Sequence, residues 1–180
     1  MVQRIHILGA SGSGTTTLGQ ALSEHLQCPY FETDTYFWLP TDPPFIEKRE
    51  RQARQQLLMD DLTEHEGCVV SGSLCRWGDV AIPLFELVVF LWIPSEIRLE
   101  RLCQREHERY GDRIMPGGDM YEKSQEFLDW AVSYDTGGLD MRSRQRHEQW
   151  LSSLPCPIIL IEGEYAIEEQ LAVLMAEIQQ

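Results

Sequence analysis

Nine residues near the start of the chain, Gly9-Ala10-Ser11-Gly12-Ser13-Gly14-Thr15-Thr16-Thr17, combine three glycines with five hydroxyl side chains. A phosphate group needs several backbone N–H donors converging on it. Side chains at those positions block its approach, so glycines recur in loops that bind it. A helix starting there adds its N-terminal partial positive charge. The spacing Gly9-x4-Gly14-Thr15-Thr16 is that of the phosphate-binding loop Gly-x4-Gly-Lys-Ser/Thr, with Thr15 where the lysine belongs. In that signature the hydroxyl at the Thr16 position ligates Mg²⁺. Gly9 to Thr17 are therefore the expected nucleotide-phosphate ligands and Thr16 an expected metal ligand.

The same glycines also fit a second chemistry. Gly9-x-x-Gly12 and Gly12-x-Gly14 are similar to the turns of dinucleotide-binding folds, and Glu32 and Asp34 follow at about the spacing used to hold a ribose. Thr17 replaces the third glycine, and no Tyr-x-x-x-Lys pair is present. An NAD(P)-dependent oxidoreductase is thus the remote alternative.

The elements that must position this loop are legible from apolar patterning. Ile5–Leu8 is a short apolar run ending at glycine, as in a buried strand, and Thr16–Leu26 has apolar residues at helical spacing. Further strands are expected at Pro29–Glu32, Cys68–Ser71, Leu87–Ile93 and Pro157–Ile161. Helices are expected at about Ile46–His65, Ser95–Tyr110, Met120–Tyr134, Leu139–Leu154 and Ile167–Ile178. Thr35–Pro44, rich in aromatic residues and proline, and Gly111–Asp119 read as loops. Short strands alternating with helices predict an α/β fold with a parallel sheet covered on both faces.

Composition narrows the partners. The 180 residues are 43% apolar, enough for the core of one domain spanning 1–180. The net charge is −14, which repels nucleic-acid backbones unless a local basic patch overrides it. No apolar run approaches a membrane span, and Met1-Val2-Gln3-Arg4-Ile5 lacks the pattern of a secretory signal. The five cysteines, at 28, 68, 75, 103 and 156, include no Cys-x-x-Cys pair or metal-ligand spacing, and read as scattered core thiols. A cytoplasmic protein acting on small molecules, without nucleic-acid or membrane partners, is expected. Oligomeric state is not readable.

With these residues in view, the chain resembles the adenylate-kinase-like group of P-loop kinases, which includes shikimate, gluconate and nucleoside monophosphate kinases and small bacterial adenylate-kinase-like ATPases. The resemblance rests on Gly9–Thr17, on Glu32-Thr33-Asp34, on Val70-Ser71-Gly72-Ser73, and on Leu87–Pro94 followed by Arg98, Arg101, Arg105 and Arg109. It implies a three-layer P-loop NTPase fold with a five-stranded parallel sheet of order 2-3-1-4-5 and a small helical lid at roughly 105–145. It also implies ATP and Mg²⁺ as cofactors and phosphoryl transfer to a small-molecule or nucleotide acceptor. Asp34, expected to end strand two, would contact Mg²⁺ or take the acceptor's proton; Glu32 would share its sheet face but sit deeper. Arg105 and Arg109 would touch the transferring phosphate, and Arg101 shares their helical stripe. Arg98 is placed on that stripe too, with Leu99, Leu102 and Cys103 turned to the core. Arg76, Tyr36 and Trp38, with Phe37, would wall the acceptor site, and Arg142, Arg144 and Arg146 would offer another anion contact. Because Thr15 cannot neutralise charge, a second expectation is a nucleotide-binding sensor with weak or no catalysis. Lys48-Arg49 or a lid arginine would have to replace the lysine.

Overall fold

The computed structural model describes residues 4–178; Met1–Gln3 of the opening segment lie outside the described residues. Strand β1 (Arg4–Gly9) is central and almost wholly buried. It pairs in parallel with β3 (Cys68–Ser71) and with β4 (Leu87–Trp92). The edges are β2 (Tyr30–Glu32), paired with β3, and β5 (Ile158–Glu162), paired with β4. The order is thus β2-β3-β1-β4-β5 in one five-stranded sheet. A dinucleotide-binding fold places its first three strands in the order 3-2-1. Here β3 lies between β1 and β2, which argues against the oxidoreductase alternative.

Alternation along β1 divides the core. Ile5 and Ile7 face α1 (Thr15–Leu26) and α7 (Ile167–Ile178), packing with Leu18, Leu22, Leu174 and Ile178. Leu8 faces the other way, toward Leu58 and Leu62 of α3 (Arg51–Glu64) and Trp150 and Leu151 of α6 (Arg144–Leu151). These two apolar layers hold the carboxyl ends of β1 and β3 side by side, with Ile7 opposite Ser71. Loops leaving those ends therefore share one edge of the sheet.

Three expected boundaries move. The segment read as a loop from Thr35 contains a short helix, α2 (Thr33–Phe37), so β2 stops at Glu32 and Asp34 lies in the helix's first turn. The helix expected from Ile46 begins at Arg51, where the Glu50 carboxylate caps it by accepting from Ala53 N–H at 2.9 Å. The last internal helix begins at Arg144 rather than Leu139, because Ser143 caps it by accepting from Arg146 N–H at 3.1 Å. Residues 105–145 hold the end of α4 (Ser95–Tyr110), a single-turn helix at Gly111–Ile114, α5 (Tyr121–Val132) and the approach to α6.

The face assigned to α4 also needs correction. The buried positions are Arg98, Leu102, Glu106 and Tyr110, each four residues apart, whereas Cys103 is exposed and Leu99 half-buried. Arg98 therefore leaves the solvent stripe. Its guanidinium is ion-paired with Asp135, donates to the Ile93 carbonyl at 3.2 Å and stacks on Tyr134. Glu106 is buried because Ser124 donates to it at 3.1 Å and Arg109 lies 3.5 Å away. Of these partners, Asp135 and Ser124 are distant in sequence and tie α5 and its C-terminal turn to α4. All five cysteines are free, and no helix among the described residues is long and apolar enough to cross a membrane.

One buried group on β1 makes this core sensitive to acid. The His6 ring is fully buried, stacked on Phe85 at 4.9 Å, with Nδ1 3.1 Å from the Val70 carbonyl and Nε2 unpartnered. Burial lowers its pKa from 6.5 to about 4, against a smaller opposing effect of the Val70 carbonyl. The unfolded chain thus takes up this proton first as pH falls. The stability it represents is complete above ~6.5 and is lost as pH drops through about 4, a change on the order of 3 kcal/mol. Thermal unfolding of His6→Asn, which keeps an N–H toward Val70, should show a shallower loss of Tm between pH 7 and pH 4 than the parent. Equal slopes would contradict the assignment.

Candidate functional site

The loop after β1 is shaped by backbone conformation. Gly12 has φ +81° and Gly14 has φ +96°, a region that residues with a Cβ rarely enter. Ser13 N–H closes the turn on the Ala10 carbonyl at 3.1 Å. Gly14 caps α1 without any side-chain hydrogen bond, and the helix carries no acidic residue in its first turn. The positive end of α1 is therefore left facing the loop with no carboxylate of its own to neutralise it. Ser13 Oγ is buried and has no hydrogen-bond partner.

Of the carboxylates on β2 and α2, Glu32 reaches the loop. Thr16 Oγ1 donates to Glu32 Oε1 at 2.9 Å. Tyr30 Oη lies 2.6 Å from Ser71 Oγ beside them, its phenol pKa raised chiefly by burial and further by Glu32 and Asp34. Asp34 is half-buried, makes no side-chain hydrogen bond, and sits close enough for its charge to act on Tyr30 and Arg105. The expectation that Glu32 lies deeper on a shared strand face assumed that the strand continued; α2 breaks that alternation.

The α4 arginines separate. Arg101 Nη1 lies 4.0 Å from where a Cβ on Gly14 would stand, which puts its guanidinium at the mouth of the loop. It is ion-paired there with Glu164 at 2.6 Å. The Arg105 guanidinium is held below its usual range chiefly by desolvation and then by Arg109, with Glu106, Asp34 and Glu32 pulling the other way. Arg109 stacks on Phe45 at 4.7 Å.

A second feature opens beside β3. A cavity of about 420 Å³ is lined by Lys48, Arg51, Arg54, Arg76, Arg142 and Arg146, with Phe37, Trp77 and Trp130 among its other walls and no carboxylate in the lining. None of the six cations is in an ion pair among the described residues, although the chain carries 29 acidic residues. Arg54 stacks on Phe37 at 4.1 Å and has its guanidinium pKa lowered chiefly by burial and then by Arg51. Arg76 adopts φ +74° and donates to the Asp140 carbonyl at 2.8 Å; Arg142 stacks on Trp130 at 5.4 Å. Arg54 Nε and Arg146 Nε are buried without hydrogen-bond partners. Glu50 opposes the effect of Arg51 on Arg54 but does not pair with it, and clustered like charge without close ion-pair partners among the described residues favours an anionic occupant.

Of the expected acceptor wall, Arg76 and Phe37 line this cavity. Tyr36 instead donates to Asp61 at 2.6 Å and lines another hollow, and Trp38 packs against Phe37 and Phe45 outside the lining. Arg144 turns away to Glu148 and Trp92, so only Arg142 and Arg146 of that cluster belong. Arg49 is engaged with the Tyr36 carbonyl at 3.0 Å. Sequence reasoning missed Arg51 and Arg54, whose spacing of three puts them on one face of α3, and His147, and it ranked Glu32 behind Asp34.

A family described as "AAA domain" matches residues 5–128. The uncharacterised protein YqaC of Bacillus subtilis is 49% identical over 170 residues, 94% of each chain. A shikimate kinase of Bacteroides fragilis is 28% identical over 139 residues, covering 72% of this chain and 74% of that one. Among solved structures, the Acinetobacter baumannii shikimate kinase in complex with shikimate superposes with a TM-score of 0.55 at 17% identity, covering 99% of this chain and 94% of that one. The Aquifex aeolicus shikimate kinase gives 0.53 at 21%, covering 98% and 96%. With the loop, the sheet order and these likenesses together, the chain belongs to the AAA-domain family and is similar to the adenylate-kinase-like P-loop kinases.

Proposed function

We propose that the chain is a kinase that binds ATP with Mg²⁺ at Gly9–Thr17 and transfers the γ-phosphoryl group to a small anionic acceptor held in the basic cavity. One observation carries this reading. Of the five buried polar side-chain atoms without a partner among the described residues, Ser13 Oγ lies in the loop, and Arg54 Nε and Arg146 Nε belong to two of the arginines that line the cavity. Orphaned donors are costly unless a ligand completes them, and both places suit an oxyanion. The loop and the cavity leave adjacent strands at the same edge of the sheet, as two substrates of one transfer require. Free cysteines fit a reducing cytoplasm.

The roles follow from position. Loop N–H groups cradle the phosphates. Thr16 with Glu32 and Asp34 would hold Mg²⁺, whose charge offsets that gathering on the phosphoryl oxygens. The Asp34 carboxylate, with no side-chain hydrogen bond among the described residues, is the one available to take the acceptor's proton. Arg101 supplies the charge that Thr15 lacks, with Arg105 and Arg109 on the same helix, and the segment 105–145 serves as the lid carrying α5 over the site. Phe37, Trp77 and Trp130 face the acceptor's less polar parts, while Tyr36 and Trp38 support that wall from behind.

Calorimetry with ATP should show binding lost in Gly14→Val, where the branched side chain is strained at φ +96° and fills the phosphate position; unchanged affinity would contradict the loop assignment. ATP should raise the melting temperature and NAD should not; the reverse order would favour the oxidoreductase. Arg101→Ala should cut phosphoryl transfer by about 10³-fold or more, the scale of a lost transition-state arginine, with partial recovery on adding Thr15→Lys. Full activity in Arg101→Ala would remove it from the mechanism. Arg54→Ala should raise the acceptor KM and leave ATP affinity unchanged; an unaltered acceptor KM would take Arg54 out of the acceptor site.

A further inference from the structure

A buried line of polar side chains runs beneath the basic cavity. Ser73, 5% exposed, is part of the lining. Its Oγ lies 3.1 Å from His147 Nε2, and the Tyr134 hydroxyl lies 2.8 Å from His147 Nδ1. His147 is fully buried and Tyr134 nearly so. Trp77 Nε1–H donates to the Ser73 carbonyl at 3.0 Å and fixes its backbone. Burial, with Arg142 and His6 adding to it, lowers the His147 pKa to about 3, so the ring is neutral and carries one proton.

Where that proton sits follows from hydrogen-bond accounting. The Tyr134 hydroxyl has His147 Nδ1 as its one side-chain partner. A buried O–H needs an acceptor, so it donates to Nδ1. The ring proton is then on Nε2, and Nε2–H donates to Ser73 Oγ. The Ser73 hydrogen cannot point back at the ring. It is left to the Cys75 sulfur beside it in the cavity lining, a weak acceptor that an oxyanion in the cavity would displace.

We propose that Ser73 is a specificity-determining donor on the floor of the basic cavity, and that His147, locked by Tyr134, is the positioning residue that makes it one. The occupant must then present a lone pair at that point. An ionised carboxylate or phosphate oxygen satisfies it, and a group that arrives as a donor does not. The meaning of this for catalysis rests on the cavity being the acceptor site. The direction of the hydrogen bonds does not.

Long-range ¹H–¹⁵N NMR of the histidine rings reads the tautomer directly, without turnover. At pH 7 the His147 ring should be the Nε2–H tautomer, and Tyr134→Phe should admit the Nδ1–H form. An Nδ1–H tautomer in the parent protein overturns the assignment. Inorganic phosphate should then shift the His147 Nε2–H signal saturably together with the Cys75 amide. For phosphate read at Cys75, Ser73→Ala and His147→Leu should weaken binding by ~10-fold, the scale of one hydrogen bond to a charged group, and His147→Gln, which retains a donor, should recover most of it. Phosphate that shifts Cys75 but leaves His147 and the Ser73→Ala affinity unmoved overturns the donor role. A response at His147 with none at the Gly14 and Thr16 amides supports this inference and counts against the phosphate loop, so the two failures are separable.

Discussion

The site depends on keeping positive charge apart from an excess of negative charge. The chain has 29 acidic and 15 basic residues, so carboxylates outnumber cations by almost two to one. Arg113 and Arg144 are neutralised at the surface, Arg98 is neutralised in the core, and the six cations around one cavity form no ion pair among the described residues, with Glu50 in electrostatic reach of Arg54. Holding them together opposes folding. The protein offsets this with aromatic faces under Arg54 and Arg142 and with a backbone carbonyl for Arg76. These contacts hold the cations around the cavity without ion-pairing them among the described residues.

The absent lysine gives the same constraint a second consequence. Thr15 offers a hydroxyl where the family's loop places a cation, and Arg101 is the guanidinium found at the loop mouth. Arg101 belongs to α4, not to the loop, and it is engaged with Glu164 after β5. Its partner is exposed, and such pairs are worth only ~0–1 kcal/mol, so a polyphosphate can take its place. Charge carried by a helix that anchors α5 would couple phosphate binding to the lid, which a loop lysine would not do.

Much of this was readable in the sequence. The loop at Gly9–Thr17 and all five strands follow from glycine spacing and short apolar runs, because a buried parallel strand needs an unbroken apolar stretch. The misreadings have two physical sources: local caps such as Glu50 and Ser143, which set where α3 and α6 begin, and partners distant in sequence. Arg98 and Glu106 look like solvent positions until Asp135 and Ser124 arrive to satisfy them. Asp34 looks like a strand end until α2 begins at Thr33. The cavity draws Lys48, Arg51 and Arg54 from around the start of α3, Arg76 from the loop after β3, and Arg142 and Arg146 from the approach to α6 and its first turn. No local pattern announces that convergence. Ser73 and His147 are likewise 74 residues apart.

The most direct test of the account is phosphoryl transfer itself. The protein should be incubated with γ-labelled ATP, Mg²⁺ and a panel of small hydroxylated metabolites, in matched anionic and neutral forms. The account predicts that label passes to one or a few anionic members and not to their neutral counterparts, and that Arg54→Ala and Arg146→Ala abolish the preference. Transfer to neutral acceptors with equal efficiency, or ATP binding with no transfer to any member, would contradict it; the latter result would leave a nucleotide-binding sensor in its place.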